Sequence, residues 1–597
     1  MCGIAGILTV NQYQDNLQTI IQGMQAAIRH RGPDDSGIYI AQEKQVALAH
    51  TRLAILDLSL AGHQPMSTSD GRYWIVFNGE IYNFEKIRQD LISQGEEFKS
   101  QTDTEIILKL YQRVGSDCVR YLRGMFAFAI WDDAEKTCFL ARDPLGIKPL
   151  YYWQSGSTLV FASELKSILA SRLPAINLSA EGLYGYLISG SVPEPNTLIE
   201  GVYCLNAGHS LHWQAGKISQ KQYWQIDFTP AETSLAEAQA KVRAALINSI
   251  HNHFVSDVPV GIFLSGGIDS TAVLALARQT QKGLLKTYSI AFAESEWNEG
   301  EIASKAAQEF DTEHTEYKIT ADLAKALFPK FLETIDQPSI DGFNTFCVSK
   351  VAHDDGTKVV LSGLGGDELF GGYGSFQKVP QMVRLGRKIK AFYPINIGIG
   401  KGLENWARSP KMRRLGDFLQ QPPDSGAAYR SFRGIFSHQE ACKIAQRYLP
   451  DHVLLERYST NQITSQPTLE DEVSLLEISG YMRNQLLRDS DVMSMAWGLE
   501  LRVPLVDRVL VETISSIPSN LRLMSNKQLL IQAVPELPTW VYNRPKRGFY
   551  FPFQQWLQQE WHECFQRVPA FNDIPLSMWY RRWSLALFQH WWENISN

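Results

Sequence analysis

The sequence predicts two units of different fold class. Residues 1–215 read as an α+β sandwich, and residues 234–597 as an α/β domain on a parallel sheet with a helical C-terminal part. Three observations carry this. Up to about residue 215, short apolar or aromatic runs sit between turns. From residue 234, strand-like and helix-like runs alternate. Between them, residues 216–233 hold few apolar side chains after Trp224 and a proline at 230, which marks a linker.

In the first unit, Tyr73–Phe77, Met125–Trp131, Thr137–Ala141 and Thr158–Ala162 read as strands. The polar run 132–136 reads as a hairpin loop between two of them. Apolar residues recur at helical spacing over Leu17–Ile28 and Thr104–Val114. The second unit opens on Ser234-Leu235-Ala236-Glu237, a capping box in which serine and glutamate satisfy each other's backbone amides. Strands follow at Val258–Leu264, Lys286–Phe292, Thr315–Ile319 and Lys358–Leu361, with helices at Thr271–Gln279 and Glu299–Phe310. This alternation implies a parallel sheet covered by helices. Such sheets bind ligands at the carboxyl ends of their strands. Residues 375–597 read as mostly helical and rich in tryptophan.

The chain of 597 residues has a net charge of −6, which argues against a basic nucleic-acid-binding stripe. Gly3 and Gly6 interrupt the apolar start and no basic residues precede it, so no signal peptide is expected. No run has the length of a membrane span. The seven cysteines are scattered and form no CxxC, which fits a reducing compartment; the expectation is a cytoplasmic protein with no membrane partner.

Cys2 stands in Met1-Cys2-Gly3-Ile4-Ala5-Gly6. Removal of Met1 would leave a free α-amine beside the thiol, able to act as its base. The strings RHRGPD (29–34), HTRLAI (50–55), FNGEIYN (77–83), TDTE (102–105) and ARDPLGIKPLYY (141–152) accompany it. Together they resemble the class II glutamine amidotransferase domain, the N-terminal-nucleophile glutaminase, over about residues 1–165. The resemblance implies Cys2 as nucleophile and Asn78 with the Gly79 amide as oxyanion hole. It implies Arg52 on the glutamine carboxylate, and Asp103 and Glu80 on its α-amine.

Leu264-Ser265-Gly266-Gly267-Ile268-Asp269-Ser270 follows a strand and opens a helix. Glycines and small hydroxyls there expose backbone N–H groups to an anion. Asp269 fits such a site as a Mg²⁺ ligand. SGGIDS resembles the PP-loop of ATP pyrophosphatases, which form acyl-adenylates. The string 362–373, SGLGGDELFGGY, also follows a strand. By resemblance Asp367 is the second metal-side acid, Ser362 and Gly363 lie near the nucleotide, and Leu264 and Ile290 flank the adenine. The string 488–507 resembles a helical block of asparagine synthetases. Lys527 matches the lysine facing the phosphates, and 544–549, with Lys546, matches a late motif.

The whole arrangement resembles the glutamine-hydrolysing asparagine synthetase family. It implies glutamine, ATP with Mg²⁺ and aspartate as ligands, and a homodimer. One residue departs: many bacterial members read SGEGSDE where this chain reads SGLGGDE, so Leu364 replaces a glutamate and Gly366 a serine. Asp336, Asp341 and Glu368 are candidates to replace that acid. The alternative is a relative acting on another carboxylate, such as a sugar uronate or a peptide acid. A non-catalytic binding protein is disfavoured because Cys2, Asp269 and Asp367 are all present.

Overall fold

A computed structural model describes residues 2–10, 16–292, 300–389, 393–450, 466–544, 552–557, 561, 565, 568, 571 and 573–596. The motif residues 545–549, including Lys546, lie outside them.

The first unit stacks two six-stranded sheets. One runs, edge to edge, Val202–Cys204, Tyr151–Ser155, Thr158–Ala162, Cys2–Leu8, Val46–Arg52 and Asp35–Ile40. The other runs Lys217–Gln222, His209–Gln214, Thr137–Arg142, Gly124–Asp132, Tyr73–Ile81 and Met66–Ser67. All their pairings are antiparallel. Strand alternation sorts the cores. Ile4 and Leu8 meet Val76, Trp131 and Trp213 between the sheets, while Ala5 and Ile7 face the opposite way. There they join Ile21 and Met24 of helix Leu17–Ala27. The outer face of the second sheet packs Phe77 and Phe128 on Ile106, Ile107 and Leu110 of helix Asp103–Val114. The central strands of both sheets are thus buried on both sides, and each large apolar side chain there contributes about 1.5–3 kcal/mol.

The expected boundary at 215 cuts a hairpin. Lys217–Gln222 pairs with His209–Gln214, so six residues of the expected linker are an edge strand. Its side chains are mostly exposed, which is why the segment reads as polar loop. The capping box forms as expected: Ser234 Oγ accepts from the Glu237 amide, and Glu237 accepts from the Ser234 amide at 2.9 Å.

The second unit is built on a five-stranded parallel sheet in the order Glu313–Ile319, Lys286–Phe292, Val260–Phe263, Val359–Leu361, Glu500–Arg502. The order reverses direction between Val260–Phe263 and Val359–Leu361. That switch point opens a crevice at the strands' carboxyl ends, and both glycine-rich strings begin there. Glu500–Arg502, expected within a helical block, is instead the edge strand of this sheet. The C-terminal part is helical, as expected. Its helix Trp579–Ser596 is held by an aromatic cluster in which Phe553 and Trp583 lie 4.4 Å apart and Phe328 and Trp561 4.9 Å apart. A π-helical stretch, Glu477–Leu487, lines the cavity at this crevice through Ser479, Tyr481 and Asn484. Such stretches are frequent at functional sites.

Candidate functional site

Two clusters form, one in each unit. In the first, Cys2 opens its strand in register with Arg52 of the neighbouring strand. The Cys2 amide donates to Asn78 Oδ1 at 3.0 Å across the sandwich. Asn78 is buried, and its Nδ2 has no hydrogen-bond partner among the described residues. Gly79 has φ +154, and a Cβ there would meet the Met125 carbonyl oxygen at 2.1 Å. Only glycine holds this strand so close to its neighbour. The Arg52 guanidinium donates to the carbonyls of Ser59 (3.0 Å), Leu56 (3.2 Å) and Asp57 (2.5 Å), which fixes its plane. Asp103 sits in the first turn of its helix and accepts from the Ile81 amide at 2.9 Å. Cys2, Arg52, Asn78, Glu80 and Asp103 are therefore brought together.

Burial dominates the electrostatics of this cluster. It pushes the Cys2 thiol above its ordinary value, with the Leu53 amide and Arg52 opposing. It pushes Asp103 up to about 7, against the Ile81 hydrogen bond. It raises Glu80 well above the usual range, and the Glu500 carboxylate adds to that.

Two residues that the sequence reading left without a role, Arg31 and Arg502, tie this cluster to the second unit. Arg31, fully buried, donates to the Cys2 carbonyl at 3.1 Å, to Glu164 at 2.7 Å and to Asp491 at 2.7 Å. Arg502 pairs with Glu500 at 2.5 Å and lies 3.5 Å from Glu80. The Arg502 carbonyl accepts from the Ser362 amide at 2.9 Å. One edge strand thus touches both a glutaminase-side carboxylate and the second glycine-rich loop. The strings holding Arg31 and Arg502 were visible, but their partners lie hundreds of residues away.

In the second cluster, the Leu264 amide donates to the Tyr288 carbonyl at 2.8 Å, and the Ser265 and Ser270 hydroxyls stand 3.0 Å apart. Helix Ile268–Thr280 starts here, its first amides aimed into the crevice. Leu264 and Ile290 are buried beside it. The loop after Val359–Leu361 lies directly on this turn. A Cβ at Gly363 would meet the Ser270 amide at 2.7 Å, and one at Gly366 would meet Asp269 Oδ1 at 2.2 Å. Any side chain at 366 would therefore shift the Asp269 carboxylate.

Asp269 and Asp367 both ion-pair with the ammonium of Lys527, which is buried and raised above its ordinary value by those carboxylates against the cost of burial. Asn526 and Lys527 adopt φ +55 and +57 in succession. Left-handed backbone at non-glycine residues costs about 1–3 kcal/mol each. The fold holds this strain and brings the Lys527 ammonium onto the two acids.

The second cluster borders a cavity of about 1630 Å³ lined by Ser265, Gly267, Asp341, Asp367, Tyr373 and Lys527 among others. Asp341 faces it, and burial raises its carboxyl. Asp336 does not serve there: its carboxylate caps helix Leu165–Ala170, accepting from Leu165 at 2.7 Å and Lys166 at 2.9 Å. Glu368 is buried, accepts from Tyr373 at 2.8 Å and is pushed up to about 8 by burial and Asp367. Leu364 packs against the core.

Residues 1–224 match the family described as glutamine amidotransferase domain, and residues 241–590 match asparagine synthase. Asparagine synthetase (glutamine-hydrolyzing) 1 of Bacillus subtilis is 33% identical over 580 residues, 95% of this chain and 90% of its own length. Asparagine synthetase (glutamine-hydrolyzing) 3 of the same organism is 29% identical, over 88% of this chain and 83% of its own. A protein named amidase chry2, from Gibberella zeae, is 28% identical over 93% of this chain and 90% of its own. Two clusters on two fold units, each within its own family match, lead to one conclusion: this chain belongs to the asparagine synthase family and carries a glutamine amidotransferase domain ahead of the synthase domain.

Proposed function

We propose that the chain converts aspartate to asparagine with glutamine and ATP, through a β-aspartyl-adenylate. AMP, pyrophosphate and glutamate are the other products. The observation that carries this reading is the meeting of Asp269, Asp367 and Lys527 at the switch-point crevice of a chain that also assembles Cys2, Asn78 and Asp103.

Once Met1 is removed, the α-amine of Cys2 takes the thiol proton. The sulfur attacks the side-chain carbonyl of glutamine, and the developing oxyanion takes hydrogen bonds from Asn78 Nδ2 and the Gly79 amide. The tetrahedral intermediate collapses, the amide nitrogen leaves as ammonia with the amine's proton, and water then hydrolyses the thioester. In the second unit the aspartate β-carboxylate attacks the α-phosphate of ATP and displaces pyrophosphate. Ammonia then attacks the activated carbonyl and AMP leaves. Lys527 neutralises charge that builds on the phosphates. The paired oxygens of Asp269 and Asp367 suit a hard divalent cation that also binds phosphate. Held there, Mg²⁺ would offset phosphate charge.

Asn78→Ala is expected to lower glutamine-dependent kcat by about 10²–10³, the usual loss for one oxyanion donor. Ammonia-dependent synthesis should be unchanged, and steady-state kinetics with each nitrogen source checks it.

Asp103 gives a pH signature. A proton held to about pH 7 in the fold is lost near 3.8 in the unfolded chain. Between those values the folded state binds more protons, so this group's contribution to stability falls as pH rises. Glutamine's ammonium prefers the ionised carboxylate. The KM for glutamine should therefore fall as pH rises through about 7. Asp103→Asn should raise KM and flatten that profile.

The acceptor is tested by asking which carboxylic acid triggers pyrophosphate release with ATP and Mg²⁺. One observation favours a second reading, a different acceptor carboxylate: Leu364 stands in place of the family acid. Leu364→Glu decides between them. If aspartate is the acceptor, turnover with aspartate rises. If aspartate never supports pyrophosphate release, in wild type or variant, the aspartate reading fails.

A further inference from the structure

Helix Tyr393–Trp406 presents Ile395, Ile399 and Trp406 to solvent. It packs on helix Pro410–Leu419 through glycine: a Cβ at Gly400 would meet the Gly416 carbonyl oxygen at 2.6 Å. On the opposite side lie Ile395, Ile399, Gly402 and Trp406, spaced four, three and four residues apart, so they form one stripe. Ile395 is 60% exposed, Ile399 52% and Trp406 83%. Such spacing normally marks the buried face of a helix. Here the buried face is the other one. Met412 and, on the adjoining helix Ser375–Ile389, Leu385 are exposed as well.

The same segment is a basic island. Residues 375–412 contain eight lysines and arginines and one acid, in a chain of net charge −6. That acid, Glu404, is buried and accepts from Gln420 at 2.7 Å and Gln439 at 3.0 Å. Arg387, Lys388, Lys401, Arg408 and Lys411 are exposed and form no ion pair among the described residues. Arg384 pairs with Glu470.

We propose that this helical hairpin docks the enzyme on an anionic lipid surface, with the Ile395–Ile399–Trp406 stripe seated at the headgroup boundary and the lysines and arginines on the lipid phosphates. An apolar stripe flanked by cations, with tryptophan at its end, is what an interfacial helix presents. Protein interfaces are depleted of lysine. A second copy across a twofold axis would set cations against cations. Among the described residues no helix is long and apolar enough to cross a membrane, so the attachment is peripheral. Helices Ser375–Ile389 and Pro410–Leu419 also wall the large cavity, through Phe376, Gln377 and Arg414. Docking would hold that cavity beside the lipid. The sequence alone predicted no membrane partner, because a stripe of three apolar residues is far shorter than a span.

The test is co-sedimentation of the full chain with vesicles of phosphatidylcholine containing roughly 30% phosphatidylglycerol. Binding is expected at low salt, with release at about 0.5 M NaCl and at least about tenfold weaker binding to pure phosphatidylcholine. I395S/I399S/W406S and, separately, K401E/R408E/K411E should each weaken binding at least about tenfold while pyrophosphate release stays unchanged. The second variant keeps the test open if the first fails to fold. Absence of wild-type binding at low salt overturns the proposal. So does equal binding by both variants, or dimerisation in sedimentation velocity that the stripe variant abolishes while vesicles are ignored. Binding to polyglutamate but not to vesicles would assign the surface to an acidic polypeptide instead.

Discussion

Cys2→Ala is expected to abolish glutamine-dependent amidation, a loss of at least about 10³-fold, while synthesis from ammonium salts continues at the wild-type rate. The size of the effect follows from the absence of a substitute nucleophile among the described residues. The other described cysteines, 118, 138, 204, 347 and 442, are all buried. Cys118, Cys138 and Cys347 are pushed by burial far above their ordinary values, and none is in the Asn78 cluster. The selectivity follows from separation. Arg31 ties Cys2 to the second unit through the Cys2 backbone carbonyl rather than the sulfur. Removing the sulfur therefore leaves the Arg31–Asp491 pair intact. Rates with glutamine and with ammonia, measured on the same preparation, check it. Loss of both rates would mean that the two sites are not independent. Mass spectrometry of the wild type should show Met1 removed, since the amine base requires it.

The parts of this architecture that could be read from sequence are those whose signal is local. Lys286–Phe292 and Thr158–Ala162 are legible because β-branched and aromatic residues make up most of each strand. The glycine-rich strings were legible because a strand, a tight turn and a helix follow within a few residues. Glu500–Arg502 was not legible as a strand. It has charged ends and three residues, and it is extended only because Val359–Leu361 offers it a parallel edge. Lys217–Gln222 was hidden for the opposite reason, as an exposed edge strand with polar side chains. The contacts between units escaped altogether. Arg31 and Asp491 are 460 residues apart, and no spacing rule links them. The left-handed turn at Asn526 and Lys527 also escaped, since neither residue is glycine.

That turn sets the terms of the second large effect. Asp269→Ala should stop pyrophosphate release, by at least about 10³-fold, while glutaminase activity survives. Asp269 is the better probe of the pair it forms with Lys527. Removing the lysine would leave two neighbouring carboxylates without their shared cation, and breaking a buried pair this way costs about 3–5 kcal/mol. A folding defect would then be confused with a chemical one. Removing Asp269 leaves Lys527 paired with Asp367, so the strained turn keeps its anchor. Asp269→Asn separates two roles for the carboxylate. If it acts through a metal ion, the amide variant needs more Mg²⁺ for the same rate. If it only orients Lys527, the Mg²⁺ requirement is unchanged and the loss lies in kcat. Pyrophosphate output equal to wild type in Asp269→Ala would remove this crevice as the nucleotide site, and the adenylation step with it.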